Sequence, residues 1–357
     1  MGVARYAIVA LVAALVTLAV TPLARLAGAR WGIVSRPGGR HVHTGVIPRI
    51  GGVAMFAGFG AAVVTEYLGE RLWGWAPVLT RLGRPVVGVL IGITTVFLVG
   101  VLDDVIDLKP GQKLLGQIAA AGIVIAFGVK ISLISNPFGG GIILLGVLAY
   151  PITLFWIVGF ANVINLIDGL DGLAAGVTAI ASLSFLVLSV QSNVLVAAAL
   201  AAALLGACLG FLRYNFNPAS IFMGDSGALF LGFTLACISL LGVIKSVAAI
   251  TLVVPLLIIG VPIFDTLSAI IRRSTHGQPI QMADKGHIHH RLLGRGFNQR
   301  QTVLIIYVWS IALAFGGYAT RWAPPILRVV TLVALASLSG IMAHWLGLFE
   351  AAHHDDE

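Results

Sequence analysis

Eight of the ten aspartates lie in short polar segments between long apolar runs, or at the mouth of one run. A carboxylate is costly in or beside hydrocarbon, so this placement predicts chemistry at a membrane surface. The segments read LDDVID (102–107), NLIDGLDG (165–172), FMGDSG (222–227), PIFDT (262–266) and ADKGHIHH (283–290).

Asp103 and Asp104 are adjacent at the end of an apolar run. Neighbouring side chains on a helix face different directions, so one carboxylate can meet a substrate while the other meets a metal or a lysine. Close carboxylates also tend to raise one pKa, which suits a base or a metal site. Lys109 and Lys113 follow and could bind phosphate as point charges. The alternatives are a hydrated helix end for the acids and a membrane anchor for the lysines.

Asn162, Asn165 and Asp168 recur every three residues, so one face of a helical turn would present two amides and a carboxylate. Gly169 and Gly172 would allow a tight turn with its backbone close to a ligand. Amide and carboxylate oxygens suit Mg²⁺ or Mn²⁺ rather than zinc.

Asp225 stands where a loop enters the next apolar run, and a hard cation is its expected partner. The alternative is that Asp225 caps the helix that follows. Asn215, ten residues earlier, is a weaker candidate for a polar contact with a substrate.

His287, His289 and His290 precede Arg291 in a single short segment. No cysteine is near to complete a zinc site, so the histidines are better interpreted as donors to a diphosphate or as proton carriers. A solvated loop is the alternative. Asp265 is a functional candidate inside an apolar run, although pairing with Arg272 or Arg273 explains it equally well.

Composition indicates the environment of these residues. The chain has 357 residues, of which 59% are hydrophobic and 10% are charged, and its mean hydropathy is +1.01. Soluble domains average about 25% charged residues, so an integral membrane protein is predicted. The net charge is +8, but the basic residues form no stripe with interleaved aromatic residues, so nucleic acid is not an expected partner. Cys208 and Cys237 lie inside apolar runs and are expected to serve packing alone.

The predicted fold class is all-α, a polytopic membrane protein with about 11 transmembrane helices in a single domain over residues 1–357, of which 348–357 form a short polar tail. The least certain boundary is 191–193, where three polar residues separate two runs. The apolar runs fall near 4–27, 50–68, 85–102, 114–130, 142–161, 173–191, 193–211, 227–243, 247–270, 302–320 and 325–347.

With 11 spans, the segments at 28–49, 103–113, 162–172, 212–226 and 271–301 share one face. Thirteen of the 22 lysines and arginines lie in those segments, Arg25 is a fourteenth at a helix end, and eight lie on the opposite face. The excess predicts that the aspartate-rich face is cytoplasmic, with the N-terminus outside and the C-terminus inside. One helix across 191–193 would separate Asp225 from the other aspartates.

Taken in order, the motifs resemble the polyprenyl-phosphate N-acetylhexosamine-1-phosphate transferases, a glycosyltransferase family that moves a sugar phosphate from a UDP-sugar to a lipid phosphate. The HIHH form and PIFDT resemble the branch that transfers GlcNAc-1-phosphate to undecaprenyl phosphate. Ile288 interrupts the histidines, which argues against the phospho-MurNAc-pentapeptide branch. The shared motifs are RPGGRHVHTGVIPRIGG (36–52), LDD, NVINLIDGLDGLAAG, NFNPASIFMGDSGALFLG, PIFDT and GHIHH.

The resemblance implies a role for each candidate residue. Asp225 and Asn165 match Mg²⁺ ligands, with Mn²⁺ as a substitute. Asp103 and Asp104 match the pair that handles the lipid phosphate, Asp168 another catalytic acid and Lys113 a phosphate-binding lysine. Asp171 matches a group that reads uracil, with Phe222 stacked on the ring. The remaining substrate-binding candidates are Asn215, His287, His289, His290 and Arg291.

The implied partners are UDP-GlcNAc, undecaprenyl phosphate and membrane lipid, and a homodimer is retained as a possible state. The implied reaction initiates a cell-envelope polysaccharide at a bacterial plasma membrane. Another UDP-N-acetylhexosamine or UDP-MurNAc-pentapeptide is the alternative donor. An ion-coupled transporter is a more remote alternative, because a transporter should place its charges near the bilayer midplane.

Overall fold

The computed structural model describes residues 2–35, 46–79, 83–135, 141–244, 253–275, 286–320 and 323–348. The described chain is mainly helical, with two short two-stranded antiparallel sheets, and the predicted all-α fold class is confirmed. The chain forms two compact units, residues 1–252 and 253–357. The single-domain interpretation and the total of 11 spans stay predictions.

The first unit begins with α1 and a short hairpin, and ends with α8. Its elements are α1 (Gly2–Trp31), β1 (Val34–Ser35), β2 (Ile47–Pro48), α2 (Gly51–Leu72), α3 (Arg84–Ile106), α4 (Pro110–Ala126), β3 (Leu133–Ser135), β4 (Ile142–Leu144), a 3₁₀ turn (Gly146–Leu148), α5 (Ala149–Ile167), α6 (Leu173–Gln191), α7 (Leu195–Asn215) and α8 (Gly224–Ile244).

The second unit is helical throughout its described residues. Its elements are α9 (Val253–Ile258), α10 (Gly260–Thr275), α11 (Ile288–Gly294), α12 (Gln299–Thr320) and α13 (Pro325–Leu346). Here α12 packs against α9, α10, α11 and α13.

Nine helices within the described ranges are long and apolar enough to cross a membrane. They coincide with nine of the predicted runs, and the other two runs contain the shorter α4 and the α9–α10 pair. Large apolar side chains such as Leu11, Phe155 and Phe315 are exposed on these helices, as expected of surfaces that face lipid. The prediction of a multi-pass membrane protein is therefore confirmed.

Helix α8 is the centre of the first unit. It packs against α2, α3, α5, α6 and α7, and nearly every residue from Ala228 to Leu241 is buried. Phe230 of α8 contacts Phe56 and Phe59 of α2 edge to face. The start of α8, which carries Asp225, is consequently held by a helix with little freedom to shift.

Two local expectations are met. Helix α6 ends at Gln191 and α7 begins at Leu195, so the boundary at 191–193 does separate two helices. Cys208 and Cys237 are both free and buried, consistent with packing alone. Residues 36–45 of the first motif, Asp284 and the tail aspartates Asp355 and Asp356 lie outside the described residues.

Candidate active site

Lys113 is the centre of a polar cluster in the first unit. Its ammonium nitrogen lies 2.9 Å from Asp103 Oδ2 and 3.3 Å from Asn165 Oδ1, and it also contacts Asp225 Oδ1. Asn165 Nδ2 donates a hydrogen bond of 2.7 Å to the same Asp225 oxygen. Four helices therefore meet here: the C-terminal ends of α3 and α5, the start of α8 and the first turn of α4. The sequence predicts that these polar residues converge.

Asp104 contacts the start of α8. Its Oδ1 accepts a hydrogen bond of 2.8 Å from the backbone N–H of Asp225, and its Oδ2 accepts one of 3.0 Å from Ser226. The first N–H groups of a helix have no partner within the helix, so an acid from another helix can supply one. Asp104 is 2% exposed and acts as a cap for α8. This geometry favours a positioning role over direct handling of the lipid phosphate.

The same contact decides the alternative for Asp225. Asp225 is the second residue of α8, and its own side chain points to Lys113 and Asn165 instead of capping the helix. Gly224 precedes it with φ +69°, and a Cβ there would lie 2.5 Å from Asp104 Oδ1. Only glycine combines this left-handed conformation with the close carboxylate.

Arg49 lies beside the cluster, although its residue type predicts no more than a basic charge. Its guanidinium donates to the backbone oxygen of Asp104 at 3.1 Å and also pairs with Asp107. Asp107 ends α3 in a left-handed conformation with φ 50°. Arg49 therefore joins the start of α2 to the end of α3, and its place in the PRIGG motif was the available signal.

A second unassigned contact lies one helical turn from the cluster. Gln117, four residues after Lys113 on α4, accepts a hydrogen bond from Asn162 Nδ2, three residues before Asn165 on α5. Gln117 is 1% exposed. Asn162 therefore braces α4 against α5, while Asn165 alone of the two reaches the Lys113 cluster.

Asp168 ends α5 beside this cluster and is half-buried. Loss of hydration, followed by the negative charges of Asp225, Asp104 and Asp171, raises the pKa of the Asp168 carboxyl to about 8. The group is therefore mostly protonated at neutral pH when no cation is bound. A perturbed acid of this kind is typical of a functional site.

Asp171 and Asn215 organise the loop before α8. Asp171 Oδ2 accepts hydrogen bonds from Asn217 Nδ2 at 3.0 Å and from the backbone N–H of Ala219 at 2.9 Å. Asn215 is 2% exposed and uses its amide on two backbone groups, the N–H of Gly172 and the carbonyl of Ile221. These contacts hold the loop together, and the predicted substrate contact of Asn215 stays a prediction.

Phe222 lies in the same loop and is half-buried. Its N–H donates to Pro48 at 2.8 Å, and its carbonyl accepts from Gly51 at 2.9 Å. The backbone of Phe222 is thus fixed between β2 and α2. The uracil-binding roles of Asp171 and Phe222 stay predictions.

The histidine segment belongs to the second unit. His287 precedes α11, and His289 and His290 lie in its first turn. His287 and His289 are stacked with ring centroids 5.8 Å apart, and His289 and His290 are 4.3 Å apart. Burial, followed by the charge of His290, lowers the pKa of His289 to about 3, so that ring is neutral at physiological pH. Arg291 continues the same turn, half-buried.

The atoms around Lys113 are also of the kind that could hold the predicted metal. All three partners of the ammonium are oxygens, which are the donors that Mg²⁺ prefers. In the described part of the chain, no three His, Cys, Asp or Glu side chains form a metal site by themselves. Mg²⁺ in phosphoryl-transfer sites is usually held by one or two carboxylates, with substrate phosphate and water completing its shell. The residues fit a site of that open kind.

A groove of about 540 Å³ opens beside the cluster, between the end of α1, the start of α2 and the end of α3. Asp104, Arg49 and Asp107 supply its polar wall, and Val101 and Val105 supply part of its apolar wall.

Comparison with known proteins identifies the family. The model described as glycosyl transferase family 4 matches residues 86–243, from α3 to α8. The chain is 38% identical over 344 residues to a probable undecaprenyl-phosphate N-acetylglucosaminyl 1-phosphate transferase of Bacillus subtilis (strain 168). The alignment covers 96% of this chain and 93% of the relative. The chain belongs to glycosyl transferase family 4. The family matched by its motifs is confirmed.

Other members of glycosyl transferase family 4 show how the similarity is distributed. A decaprenyl-phosphate N-acetylglucosaminephosphotransferase of Mycolicibacterium smegmatis is 38% identical over 92% of this chain and 86% of the relative. A phospho-N-acetylmuramoyl-pentapeptide-transferase of Clostridioides difficile is 37% identical over 61% of this chain and 70% of the relative. The similarity to GlcNAc-phosphate transferases thus extends over more of the chain.

Proposed function

We propose that this protein transfers N-acetylglucosamine 1-phosphate from UDP-GlcNAc to undecaprenyl phosphate, giving undecaprenyl-diphosphate-GlcNAc and UMP. The activities for which the Bacillus subtilis and Mycolicibacterium smegmatis relatives are named support this assignment. The observation that carries it is the Lys113 cluster, where Asp103, Asn165 and Asp225 meet at helix ends. A reaction between a soluble sugar nucleotide and a lipid headgroup needs such a site at the membrane surface.

In the proposed reaction, an oxygen of the lipid phosphate attacks the β-phosphorus of the sugar nucleotide. The bond from that phosphorus to the bridging oxygen breaks, and the bridging oxygen leaves with UMP. The second pKa of a phosphate monoester is about 6, so the acceptor is largely ionised at pH 7 and needs no strong base. Asp103 then serves mainly to hold Lys113, as their 2.9 Å contact suggests.

Lys113 supplies positive charge where phosphate oxygens gather negative charge. Asp225 and Asn165 are the residues that would hold Mg²⁺, and Asp104 fixes Asp225 through the start of α8. When bound, Mg²⁺ would offset the charge of the diphosphate and help UMP to depart.

A covalent phospho-aspartate intermediate is the competing mechanism. Direct attack inverts the configuration at a chiral β-phosphorus, whereas two successive displacements retain it. We expect inversion with a chirally labelled donor, and retention would eliminate the direct mechanism.

The donor is tested with purified protein, Mg²⁺ and undecaprenyl phosphate. UMP release is measured with UDP-GlcNAc, UDP-GalNAc and UDP-MurNAc-pentapeptide in parallel. We expect UMP release that depends on the lipid and is fastest with UDP-GlcNAc. A preference for the pentapeptide donor would assign the protein to the other branch. Solute uptake by proteoliposomes without a lipid product would support a transporter instead.

We further propose that the Lys113 cluster faces the cytoplasm, where UDP-sugars are made, with the N-terminus outside. The excess of basic residues in the segments that carry the cluster supports this orientation.

A further inference from the structure

A single buried carboxylate joins α10 to the start of α11. Asp265 is 3% exposed, and its Oδ1 accepts a hydrogen bond of 2.8 Å from the backbone N–H of Ile288. Its Oδ2 lies 3.1 Å from Nδ1 of His287. Both bonds end at the first residues of the histidine segment, 22 and 23 residues away in sequence.

The contact with His287 determines where that ring carries its proton. An ionised carboxylate can only accept hydrogen bonds, so Nδ1 must be the protonated nitrogen. In the neutral ring, Nε2 then holds the lone pair, and in the charged ring Nε2 carries the second proton. In both states Nδ1 stays with Asp265, and Nε2 is the nitrogen left for another polar partner.

The rest of the segment is built around this contact. Ile288 and Leu292 of α11 are buried, and the backbone at Gly286 packs closely against the guanidinium of Arg272. The planes of His287 and His289 differ by only 4°. A rotation of His287 would therefore disturb the ring stacked upon it.

We propose that Asp265 is a positioning residue that caps α11 and fixes His287 as the Nδ1–H tautomer, which leaves Nε2 to meet a phosphate or sugar hydroxyl of the donor. The nature of this ligand rests on the proposed function, whereas the tautomer and the cap do not. Partners that orient metal-binding histidines affect metal affinity or activity by about 10- to 100-fold, and we expect an effect of the same order here.

Two substitutions of Asp265 distinguish its cap on α11 from its effect on the His287 tautomer. Asp265→Asn keeps an oxygen for the N–H of Ile288, but its NH₂ group donates, so Nδ1 of His287 must become an acceptor. Asp265→Ala removes both functions. Thr266→Val is the matched control, because Thr266 is the next residue of α10 and its hydroxyl donates to Pro262 within the helix.

The tautomer is measured by NMR of protein with ¹⁵N-labelled histidine, with His287→Gln used to assign the signal. We expect protonated Nδ1 in the wild type and Thr266→Val, and protonated Nε2 in Asp265→Asn. An unprotonated Nδ1 with a protonated Nε2 in the wild type, or one tautomer in all three proteins, would overturn the proposal. This result does not depend on turnover, so it stands even if the proposed transferase reaction fails.

Trypsin cleavage at Arg291 and Arg295 reports the cap, and GlcNAc-1-phosphate transfer reports the consequence for the ligand. We expect Asp265→Asn to resist trypsin like the wild type while kcat/KM falls about 10- to 100-fold. Asp265→Ala should be cleaved faster and be less active still. Equal trypsin sensitivity of Asp265→Ala and the wild type would refute the cap, and wild-type activity of Asp265→Asn would refute the role of the tautomer.

Discussion

Lys113 and Asp225 place a positive and a negative charge in contact within a partly buried cluster. The exposed fraction of the Lys113 side chain is 17%, and that of Asp225 is 29%. Both groups retain access to a ligand, while Asp103 contacts Lys113 and Asn165 contacts Asp225. The two charges are therefore available to phosphate and to a cation.

Asp225→Asn should reduce turnover by about a thousand-fold, at the upper end of what removal of one electrostatic group costs. The amide keeps the size of the side chain, so the thermal unfolding temperature should stay close to that of the wild type. Lipid-dependent UMP release and a thermal unfolding scan are the two measurements.

The matched control is Asp107→Asn, because the Asp107 side chain, at the end of α3, is 80% exposed and pairs with Arg49. This control should retain activity within about three-fold, since exposed ion pairs contribute little. Full activity of Asp225→Asn would remove Asp225 from the site.

The raised pKa of Asp168 predicts that the unfolding temperature depends on pH once a chelator has removed divalent cations. Its pKa in the folded protein, about 8, lies above the ordinary value for aspartate of about 3.9. The folded state therefore binds the proton more tightly, so the contribution of Asp168 is complete below about pH 4 and is lost as the pH rises through about 8.

Asp168→Asn mimics the protonated acid and lacks this loss. The unfolding temperature of the variant minus that of the wild type should therefore increase from pH 6 to pH 9. A difference that stays constant, or falls, across that range would contradict the raised pKa.

The sequence predicts much of the residue-level cluster. Polar residues that follow apolar runs identify Asp103, Lys113, Asn165 and Asp225, and the structure brings them together. The direction of each side chain could not be predicted, because adjacency in LDD does not reveal that Asp104 turns to α8. The partners of Asn215 could not be predicted for the same reason, since its two backbone partners come from separate segments.

At the scale of elements, the same device occurs twice. Asp104 of α3 caps the start of α8, which carries Asp225, and Asp265 of α10 caps the start of α11, which carries His289. In each case a buried acid on one helix accepts from backbone N–H at the start of a second helix, two groups for Asp104 and one for Asp265. Each acid thereby holds the start of the helix that carries the functional side chains.

Gly224→Ala tests the first of these caps. A left-handed conformation costs alanine about 1–2 kcal/mol, and the new Cβ would also press on the carboxylate of Asp104. Activity should fall at least about 10-fold, and the unfolding temperature should decrease.

Gly242→Ala is the control in the same helix, because nothing lies within 4 Å of the added Cβ. It should behave like the wild type in both assays. If the two alanine variants have equal activity, the close approach of Gly224 to Asp104 does not matter for function.

The helices were the most predictable elements, because a helix that crosses the bilayer needs a long apolar run. Short polar junctions such as 191–193 were also sufficient to separate α6 from α7. The division of the 247–270 run was not predicted, and its described part is two helices, α9 and α10. Pro255 and Pro262 both lie there, and their missing N–H groups weaken a continuous helix.

At the scale of the molecule, the proposed orientation can be tested on two exposed residues of the first unit. Arg71 lies at the end of α2, and Lys109 follows α3. One membrane crossing by α3 separates them. In intact cells, a membrane-impermeant maleimide should label Arg71→Cys, whereas Lys109→Cys should require permeabilised cells. The wild type is the unlabelled control, because both native cysteines are buried. The reverse pattern would invert the topology and place the Lys113 cluster outside.

The central claim is that sugar and phosphate move to the lipid together. The direct measurement uses UDP-GlcNAc labelled with ³²P at the β-phosphate, together with undecaprenyl phosphate and the purified protein. We expect the label to move into the lipid fraction in an amount equal to the UMP released, and Asp225→Asn to prevent both. Release of labelled UDP, with sugar but no label in the lipid, would contradict it.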